Sequence, residues 1–287
     1  MKILQIYICS LMLLLSELFA GEPLLKENVS GILNSPIYTS TQDRIELLEE
    51  YMKPFITAFG TCMGGAMYHR AYVKAFPRFD FGISFVILSV PKRVKKCIAP
   101  DGSEVASVFG SPSDTSVPGT GISTFSVPQL HMNIGFFSNF ELTAKYLDFN
   151  ISKFGKISLF GFGVKYGLSD LIPLPAFPLD LSAQVMLHRL TVDDWIDVGT
   201  FGMNLQISKS FPVFPLGFYG GVGFENSSME IKTDKIIDTG IGEISVEGEN
   251  NFRLTFGISY TFMIFNIHGD YNIGEYNSVG IGAMITL

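Results

Sequence analysis

The stretch Phe79-Asp80-Phe81-Gly82-Ile83-Ser84-Phe85 places a large apolar side chain at every second position. Successive side chains of a β-strand point to opposite faces, so this spacing predicts a strand with one apolar face and one polar or small face. The same period returns later in the chain, at residues 140–146, 160–168, 179–187, 201–207, 216–224, 252–260 and 279–287. At about ten residues each, such strands are long enough to cross a bilayer when they are tilted.

The connections between these segments alternate in kind. Short ones lie near Phe137–Asn139, Ser169–Pro178, Lys209–Pro215 and Phe262–Met263. Longer or more polar ones lie at Pro91–Val127, Ile151–Lys156, Thr191–Asp197, Glu225–Asn250 and Gly274–Asn277. Bacterial membrane barrels have short periplasmic turns and longer outer loops. A barrel that begins at Phe79 then has about ten strands, and about twelve if Phe55–Ala71 joins the wall. The pattern therefore predicts an all-β fold, an antiparallel transmembrane β-barrel of about 10–12 strands.

The composition supports this prediction. Hydrophobic residues make up 47% of the chain and charged residues only 16%, yet no apolar run after residue 20 approaches the roughly 18 residues of a membrane helix. A soluble barrel would carry many charges on its exposed face, whereas the second face here is mostly Gly, Ser, Thr, Asn and Gln. The net charge of −7 argues against nucleic acid as a partner.

The N-terminus predicts export. Lys2 is followed by an apolar core, Ile3–Leu15, and Ala20 is a small residue suited to cleavage before Gly21. Residues 1–20 are therefore interpreted as a signal peptide and the bacterial outer membrane as the destination, with an uncleaved anchor as the alternative. Two cysteines follow, Cys62 and Cys97, for which a disulfide and two free thiols remain equally open.

Residues 21–54 are predicted to form an N-terminal helical segment ahead of a barrel at residues 55–287. Thr39 to Met52 has helical periodicity, with Ile45, Leu48 and Met52 on one face, and Pro54 is expected to end the helix. These three apolar residues predict docking at the periplasmic mouth of the barrel, where the helix would act as a plug. The alternative is a helix that only stabilises the barrel or binds a periplasmic partner.

Several short stretches carry a family resemblance. Glu50–Gly60, Ala66–Ala71, Phe79–Gly82 and the end from Asp270 to Leu287 resemble an uncharacterised family of bacterial outer-membrane-type barrel proteins, over residues 50–287. This resemblance implies the barrel and its location but no substrate. More distantly, a helical segment ahead of a Phe-rich barrel is similar to the outer-membrane long-chain fatty-acid transporters, which implies a hydrophobic ligand route and an N-terminal plug.

The sequence contains no pattern of a known catalytic or metal site. The motifs G-x-S-x-G, G-x-x-x-x-G-K-[ST] and H-E-x-x-H are absent, and no two histidines have metal-ligand spacing. His188, Asp193 and Asp194 would suit a lipid hydrolase at an outer end, but no serine nucleophile can be placed beside them. We therefore expect no enzyme activity, no metal and no cofactor.

The predicted function is passive transport through a pore, for a small and possibly hydrophobic solute. The alternative is a structural or assembly component of the cell envelope, for which the basic stretch Lys92–Lys96 offers contact with anionic lipid. The expected partners are outer-membrane lipid and the solute, and the oligomeric state stays open. Lumen-facing candidates for ligand binding are His188, Arg253, His268 and Asp270.

Overall fold

A computed structural model describes residues 24–151, 155–171, 179–211, 214–238 and 240–287, so the predicted signal peptide lies outside the described residues. Within these ranges the chain forms two α-helices, α1 (Leu24–Leu33) and α2 (Thr41–Gly64), and short 3₁₀ turns at Lys92–Lys95, Ser169–Leu171 and Thr233–Lys235. The strands are β1 (Phe79–Ser89), β2 (Lys96–Ile98), β3 (Glu104–Ala106), β4 (Thr124–Gly135), β5 (Phe140–Ile151), β6 (Gly155–Gly167), β7 (Asp180–Val192), β8 (Ile196–Ser210), β9 (Leu216–Lys232), β10 (Glu243–Glu247), β11 (Phe252–Phe262), β12 (Phe265–Ile273) and β13 (Ser278–Thr286).

Ten of these strands form a closed antiparallel barrel. Their order around the ring is β1-β4-β5-β6-β7-β8-β9-β11-β12-β13, and β13 pairs with β1 to close it. At that closure, Asp80 lies opposite Thr286 and Leu88 opposite Ser278. Strand β10 pairs only with the last residues of β9 and is not part of the ring. Strand β2 pairs with β3 in a small separate hairpin. The predicted fold class is confirmed with ten strands, because residues 55–71 do not join the wall.

The two faces of the wall follow the period of two. In β8, the side chain of Leu205 is 55% exposed on the outside, whereas its neighbour Gln206 is 2% exposed and points into the lumen. The outward side chains are large and apolar on every barrel strand. Examples in strand order are Phe81, Met132, Tyr146, Phe160, Leu187, Leu205, Val222, Phe256, Ile267 and Ile281. The apolar face thus surrounds the barrel, and the second face of each strand points into the lumen.

The two ends of the barrel differ. The long connections at residues 90–123 and 233–251 meet at one end, here called the loop-bearing end. The opposite end, here called the turn end, carries the tight turns at residues 136–139 and 263–264 and the junction where β1 begins and β13 ends. Asn139 (φ 61°) and Met263 (φ 56°) take left-handed backbone conformations that let these turns reverse within a few residues.

Helix α2 is longer than predicted. Ser40 caps its start by accepting a hydrogen bond from the Gln42 amide at 3.2 Å, but the helix continues ten residues past Pro54 to Gly64. Proline removes one helical hydrogen bond. That cost is offset because the turns after it are fully buried through Phe55, Phe59 and Met63. None of the described helices is long and apolar enough to cross a membrane.

Helix α2 also lies at the other mouth of the barrel from the one predicted. It packs at the loop-bearing end, where its Tyr51 carbonyl accepts from the Val108 amide (3.1 Å) and its Thr57 hydroxyl accepts from the Glu249 amide (3.0 Å). The inner face of the wall explains this position. It is apolar at the loop-bearing end and charged at the turn end, so only the former can seat an apolar helix. The apolar seat comprises Leu159, Leu190, Val198, Met229 and Ile231.

Candidate functional site in the barrel lumen

The chain reaches β1 by passing through the barrel. Residues 65–74, here called the luminal segment, run from the end of α2 through the lumen to the turn end. Two glycines start this passage. A Cβ on Gly64 would lie 1.5 Å from Arg253 Nη1, and one on Gly65 would lie 2.8 Å from Val86 Cγ1, so the wall leaves no room for side chains there. The lumen is therefore occupied by the protein's own chain along its length.

A buried cluster of charges fixes the luminal segment near the turn end. Arg70 Nη1 lies 2.9 Å from Glu141 Oε2, and the same guanidinium pairs with Asp80. Lys74 also pairs with Asp80, and Lys165 Nζ lies 2.6 Å from Glu141 Oε1. These five side chains, here called the charge cluster, are at most 6% exposed. Removing one partner of such a buried pair usually costs about 3–5 kcal/mol, because a charge is left uncompensated.

Histidines extend this contact further into the lumen. The rings of His69 and His268 stack with centroids 4.9 Å apart and planes 20° from parallel. His268 Nδ1 shares a hydrogen bond of 3.0 Å with Asn266 Oδ1, and His69 Nε2 lies 3.9 Å from Asp80 Oδ2. His268, a predicted luminal candidate, is therefore in contact with the luminal segment.

The other candidates also face the lumen, but the structure does not gather all four in one site. Arg253 pairs with Glu225 and lies 3.9 Å from Met67 Sδ of the luminal segment. Asp270 accepts hydrogen bonds from Tyr219 Oη (3.1 Å) and Asn272 Nδ2 (2.6 Å). His268 and Arg253 thus contact the luminal segment directly, and Asp270 is linked to it through Tyr219, whose ring centroid lies 5.8 Å from that of Tyr68. His188 lies apart on β7, where its Nδ1 shares a hydrogen bond of 3.0 Å with Thr200 Oγ1. Their role in ligand binding stays a prediction.

Sequence reasoning missed the charge cluster as a unit. Asp80, Glu141 and Lys165 occupy polar positions of the period-two pattern, so their inward orientation was readable. Arg70 and Lys74 lie in an irregular stretch where no periodicity places them inside the barrel. A signal that points to the cluster is the pair of basic residues His69-Arg70 shortly before β1, whose second residue is Asp80. A carboxylate buried in the lumen requires a partner.

The predicted docking residues lie in the apolar core at the loop-bearing end. Leu48 and Met52 are fully buried there, and Ile45 packs against the same core from its edge. Tyr51 connects α2 to α1 and to the loop at residues 90–123, since its hydroxyl donates to the Pro118 carbonyl (3.0 Å) and accepts from Asn28 Nδ2 (3.1 Å). These three parts of the chain are here called the cap. Whether the helix acts as a plug stays a prediction.

The two cysteines do not form a disulfide. Cys62 in α2 and Cys97 in β2 are free thiols, and both are buried. In the part of the chain that the structure describes, no three His, Cys, Asp or Glu side chains come together as a metal site.

A family model matches the chain over residues 1–287. The chain belongs to a family of unknown function, DUF6588. No curated protein matches it. The family description carries no activity, which agrees with the uncharacterised barrel family that the sequence resembles.

Solved structures that are similar to this chain include outer-membrane proteins and channels. OmpT of Vibrio cholerae shares 10% identity over 56% of this chain and 55% of its own, about half its length, with a TM-score of 0.29. Neisserial surface protein A shares 9% over 73% and 96%, with a TM-score of 0.30. The outer-membrane channel DcaP of Acinetobacter baumannii shares 7% over 73% and 96%, with a TM-score of 0.21. None of these three is named as a fatty-acid transporter, and similarity this low indicates no function for this chain.

Proposed function

We propose that this protein is an outer-membrane β-barrel that conducts small polar solutes, and that its structure is the closed state of the conduit. The apolar outer face supports membrane insertion, because a soluble protein rarely exposes such an area of contiguous apolar surface. Ring closure supports it too, since every barrel strand has two neighbours and no edge of unpaired backbone groups faces lipid. The predicted signal peptide supplies the export route.

The observation that carries the gating proposal is how the luminal segment is held. Near the turn end its contacts with the wall are ion pairs and hydrogen bonds, made by His69, Arg70 and Lys74. Water can replace such contacts, because each partner is readily hydrated. Apolar side chains of similar volume would usually seal a permanently closed barrel as stably or better. A segment held by charges therefore suits a removable gate.

The lining of the lumen favours a polar solute over the hydrophobic one expected from the sequence. Gln129, Thr143, Gln184, Asn204 and Gln206 are buried inward-facing side chains between the charge cluster and the apolar seat. Most of them form hydrogen bonds with one another or with the luminal segment, for example Gln206 Nε2 to Gln184 Oε1 at 2.6 Å, whereas Gln129 Nε2 donates to the Cys62 carbonyl of α2 at 3.1 Å. Once freed, these amides and hydroxyls would hydrogen-bond to water or a hydrophilic solute.

Opening must move α2 as well. The helix runs directly into the luminal segment through Gly64 and Gly65, and it fills the mouth at the loop-bearing end. Passage therefore requires residues 41–74 to shift together. A cross-link between the luminal segment and the wall should hold them in place.

A reversible lock tests this proposal. The Ala71 amide donates to Ser208 Oγ at 2.9 Å, so Ala71→Cys and Ser208→Cys together place two thiols within reach of a disulfide. Efflux of a small sugar from liposomes should fall when the double variant is oxidised and recover on reduction. The single variants are the matched controls, and their efflux should be the same under oxidising and reducing conditions.

Two outcomes would contradict the gate. Efflux that is equal in the oxidised and reduced double variant would show that solute passes without movement of the luminal segment. No efflux from any inserted form, reduced or oxidised, would favour the structural role.

That structural role is the second candidate, and one observation favours it. The cap at the loop-bearing end is a continuous apolar core in which Leu47, Leu48 and Phe55 are essentially inaccessible to solvent. Opening such a core to water costs about 25 cal/mol for each Å² of apolar surface exposed. A permanently sealed barrel would then anchor the cap at the cell surface. We propose no catalytic role for either candidate.

A further inference from the structure

The strand connections at the turn end carry the most exposed apolar side chains of the protein. Among the described residues, the four most exposed large apolar side chains are Met263 (79%), Phe137 (72%), Phe214 (63%) and Leu171 (63%). Each lies on a different connection at this end, within residues 263–264, 136–139, 211–215 and 168–179 respectively. These four connections contain a single charged residue, Asp170. An exposed apolar surface of this kind usually marks a contact with a partner or a membrane.

Packing within the chain does not cover these side chains. The Phe137 ring lies 5.0 Å from the Phe76 ring, and Phe76 lies 6.1 Å from Phe136, measured between ring centroids. Phe76 is nevertheless 47% exposed and Phe136 40% exposed. The rings therefore lie side by side at the surface, and whatever covers them comes from outside the chain.

The apolar surface of the turns is continuous with the apolar wall. Phe211, on the turn before β9, meets Phe218 of β9 edge-on with centroids 6.1 Å apart. Towards the loop-bearing end, by contrast, the outward side chains become polar, as Arg189 on β7 and Asn226 on β9 show. The wall thus has a polar border on the side of the loop-bearing end, whereas its apolar surface continues into the turns on the other side.

The height of the apolar wall places the turns at the level of the lipid. Phe224 on β9 and Phe252 on β11 are register partners, and Asn226 follows as the next outward residue on β9. From that level the outward row of β9 descends about 20 Å to Leu216, at about 3.3 Å per residue and a tilt of about 40°. The row of β11 descends about 25 Å and ends at Phe262, the last residue before a turn. Since the apolar band of such barrels is about 25 Å tall, the bilayer reaches the turns.

The backbone of the turns is suited to these surroundings. Lipid offers no hydrogen bonds, so backbone groups that face it need partners within the protein. The Phe136 amide donates to the Phe140 carbonyl at 2.7 Å, and the Ile264 carbonyl accepts from the Thr286 amide at 2.7 Å. The Pro215 carbonyl accepts from an amide of β11 at 2.7 Å. Backbone groups on three of the four turns are therefore already satisfied by the protein.

We propose that the four turns at the turn end are immersed in the bilayer and covered by phospholipid acyl chains of the adjacent leaflet. The inference rests on the membrane-spanning wall of the proposed function and extends its lipid-covered surface to the tips of the turns. Phospholipid is the occupant because the bilayer that surrounds the wall already reaches them. Lys209, half-buried near this end, has a stem long enough for its ammonium to reach the headgroups. The barrel mouth at the turn end then lies within the headgroup layer and does not project into the periplasm.

Tryptophan fluorescence in liposomes tests the proposal. The chain has one tryptophan, Trp195, so Trp195→Phe combined with Phe137→Trp places a single reporter on a turn. In phosphatidylcholine brominated on its acyl chains, this reporter should lose at least half of the fluorescence that it has in unbrominated lipid. Acrylamide on both sides of the membrane should quench it little. In the same background, Leu205→Trp in the wall should behave alike, whereas Ile98→Trp at the loop-bearing end should be quenched by acrylamide and not by the lipid.

The controls separate this proposal from membrane insertion itself. If the reporter at position 137 is quenched by acrylamide while Leu205→Trp is quenched by lipid, the turns project into water and the proposal is overturned, but insertion stands. Resistance of the turn reporter to both quenchers would mean that protein, such as a second copy of the chain, covers the turns, which also overturns it. If lipid quenches neither reporter, the spanning wall and the immersed turns are refuted together.

A dye on another turn gives a measurement that keeps Trp195 in place, should Trp195→Phe fail to fold. Met263→Cys labelled with an environment-sensitive fluorophore should emit at shorter wavelength in liposomes than the same fluorophore on Thr115→Cys, which lies on an exposed loop at the other end. Equal emission maxima at the two positions would overturn the proposal.

Discussion

Arg70 and Glu141, 71 residues apart in the chain, meet inside the barrel with Nη1 2.9 Å from Oε2. This ion pair joins the luminal segment to β5, and the same guanidinium also binds Asp80 on β1. One side chain thus connects the segment to two parts of the wall that are separated by β4. It is the contact whose loss should do most to release the segment.

Replacing this arginine should weaken closure. Arg70→Met removes both ion pairs, leaving Asp80 paired with Lys74 and Glu141 with Lys165, so we expect a loss of about 3–5 kcal/mol in the free energy of unfolding. Solute efflux from liposomes should rise, because the luminal segment is held less firmly. Arg78→Met is the control, since Arg78 is exposed on the same connection and should leave both measurements unchanged. Equal efflux from the two variants would argue against the charge cluster as the gate.

The cap should depend on its apolar core. Leu48→Ala leaves a cavity in a fully buried site, and we expect a loss of about 2–5 kcal/mol in denaturant unfolding. Ile37→Ala removes a side chain that is 60% exposed and should change stability little. If both variants unfold at the same denaturant concentration, α2 is not packed in the mouth as the structure describes.

The outer face should be sensitive to charge only where it meets the bilayer. Leu205 and Ile98 are exposed to a similar extent, but Leu205 lies in the interior of β8, in the barrel wall, and Ile98 lies in the hairpin at the loop-bearing end. Leu205→Arg should cost about 2–4 kcal/mol of folding free energy in bilayers, the range for arginine near the midplane. Ile98→Arg should cost far less, because its surroundings are aqueous. A similar cost at both sites would contradict membrane insertion of the wall.

The cysteines should stay unreactive in the folded protein. Burial raises the pKa of the Cys97 thiol to about 12, so the thiolate that reacts with alkylating reagents is scarce at pH 8 and grows as the pH rises towards that value. Mass spectrometry after iodoacetamide treatment should show little labelling of Cys97 until the protein is unfolded. Thr115→Cys places a thiol on the exposed loop and should be labelled at once. Rapid labelling of native Cys97 would mean that the β2–β3 hairpin opens freely.

Periodicity was enough to predict the wall but not its contents. Alternation at Leu205 and Gln206 depends on the geometry of a single strand, so local sequence determines which of them faces out. Closure also follows, because a bilayer tolerates no open edge. The number of strands was uncertain only because Phe55–Ala71 is apolar without alternation, and such a run fits a strand or a buried helix equally well.

The position of the helix was not predictable from its own residues. Ile45, Leu48 and Met52 showed that α2 needs an apolar partner, but that partner is assembled from the inner faces of several strands. Leu190 and Val198 face inwards at the loop-bearing end, where a polar lumen was expected. Pro54 does not end the helix, because burial of the turns after it offsets the lost hydrogen bond, and that burial depends on the wall and not on the local sequence. Long-range contacts of this kind appear only once the barrel is closed.

The passage of residues 65–74 through a ring of ten paired strands also constrains how the molecule can be assembled. If the barrel closed while empty, α2 would have to enter through the turn end and pass through the lumen to reach the loop-bearing end. Its apolar side chains would then have to move past the charge cluster. Wrapping the strands around the chain avoids this, with the seam between β1 and β13 zipping last beside the exit of the luminal segment. The luminal segment is then enclosed while the barrel forms around it. Closure of the barrel and burial of the luminal segment therefore take place in the same step.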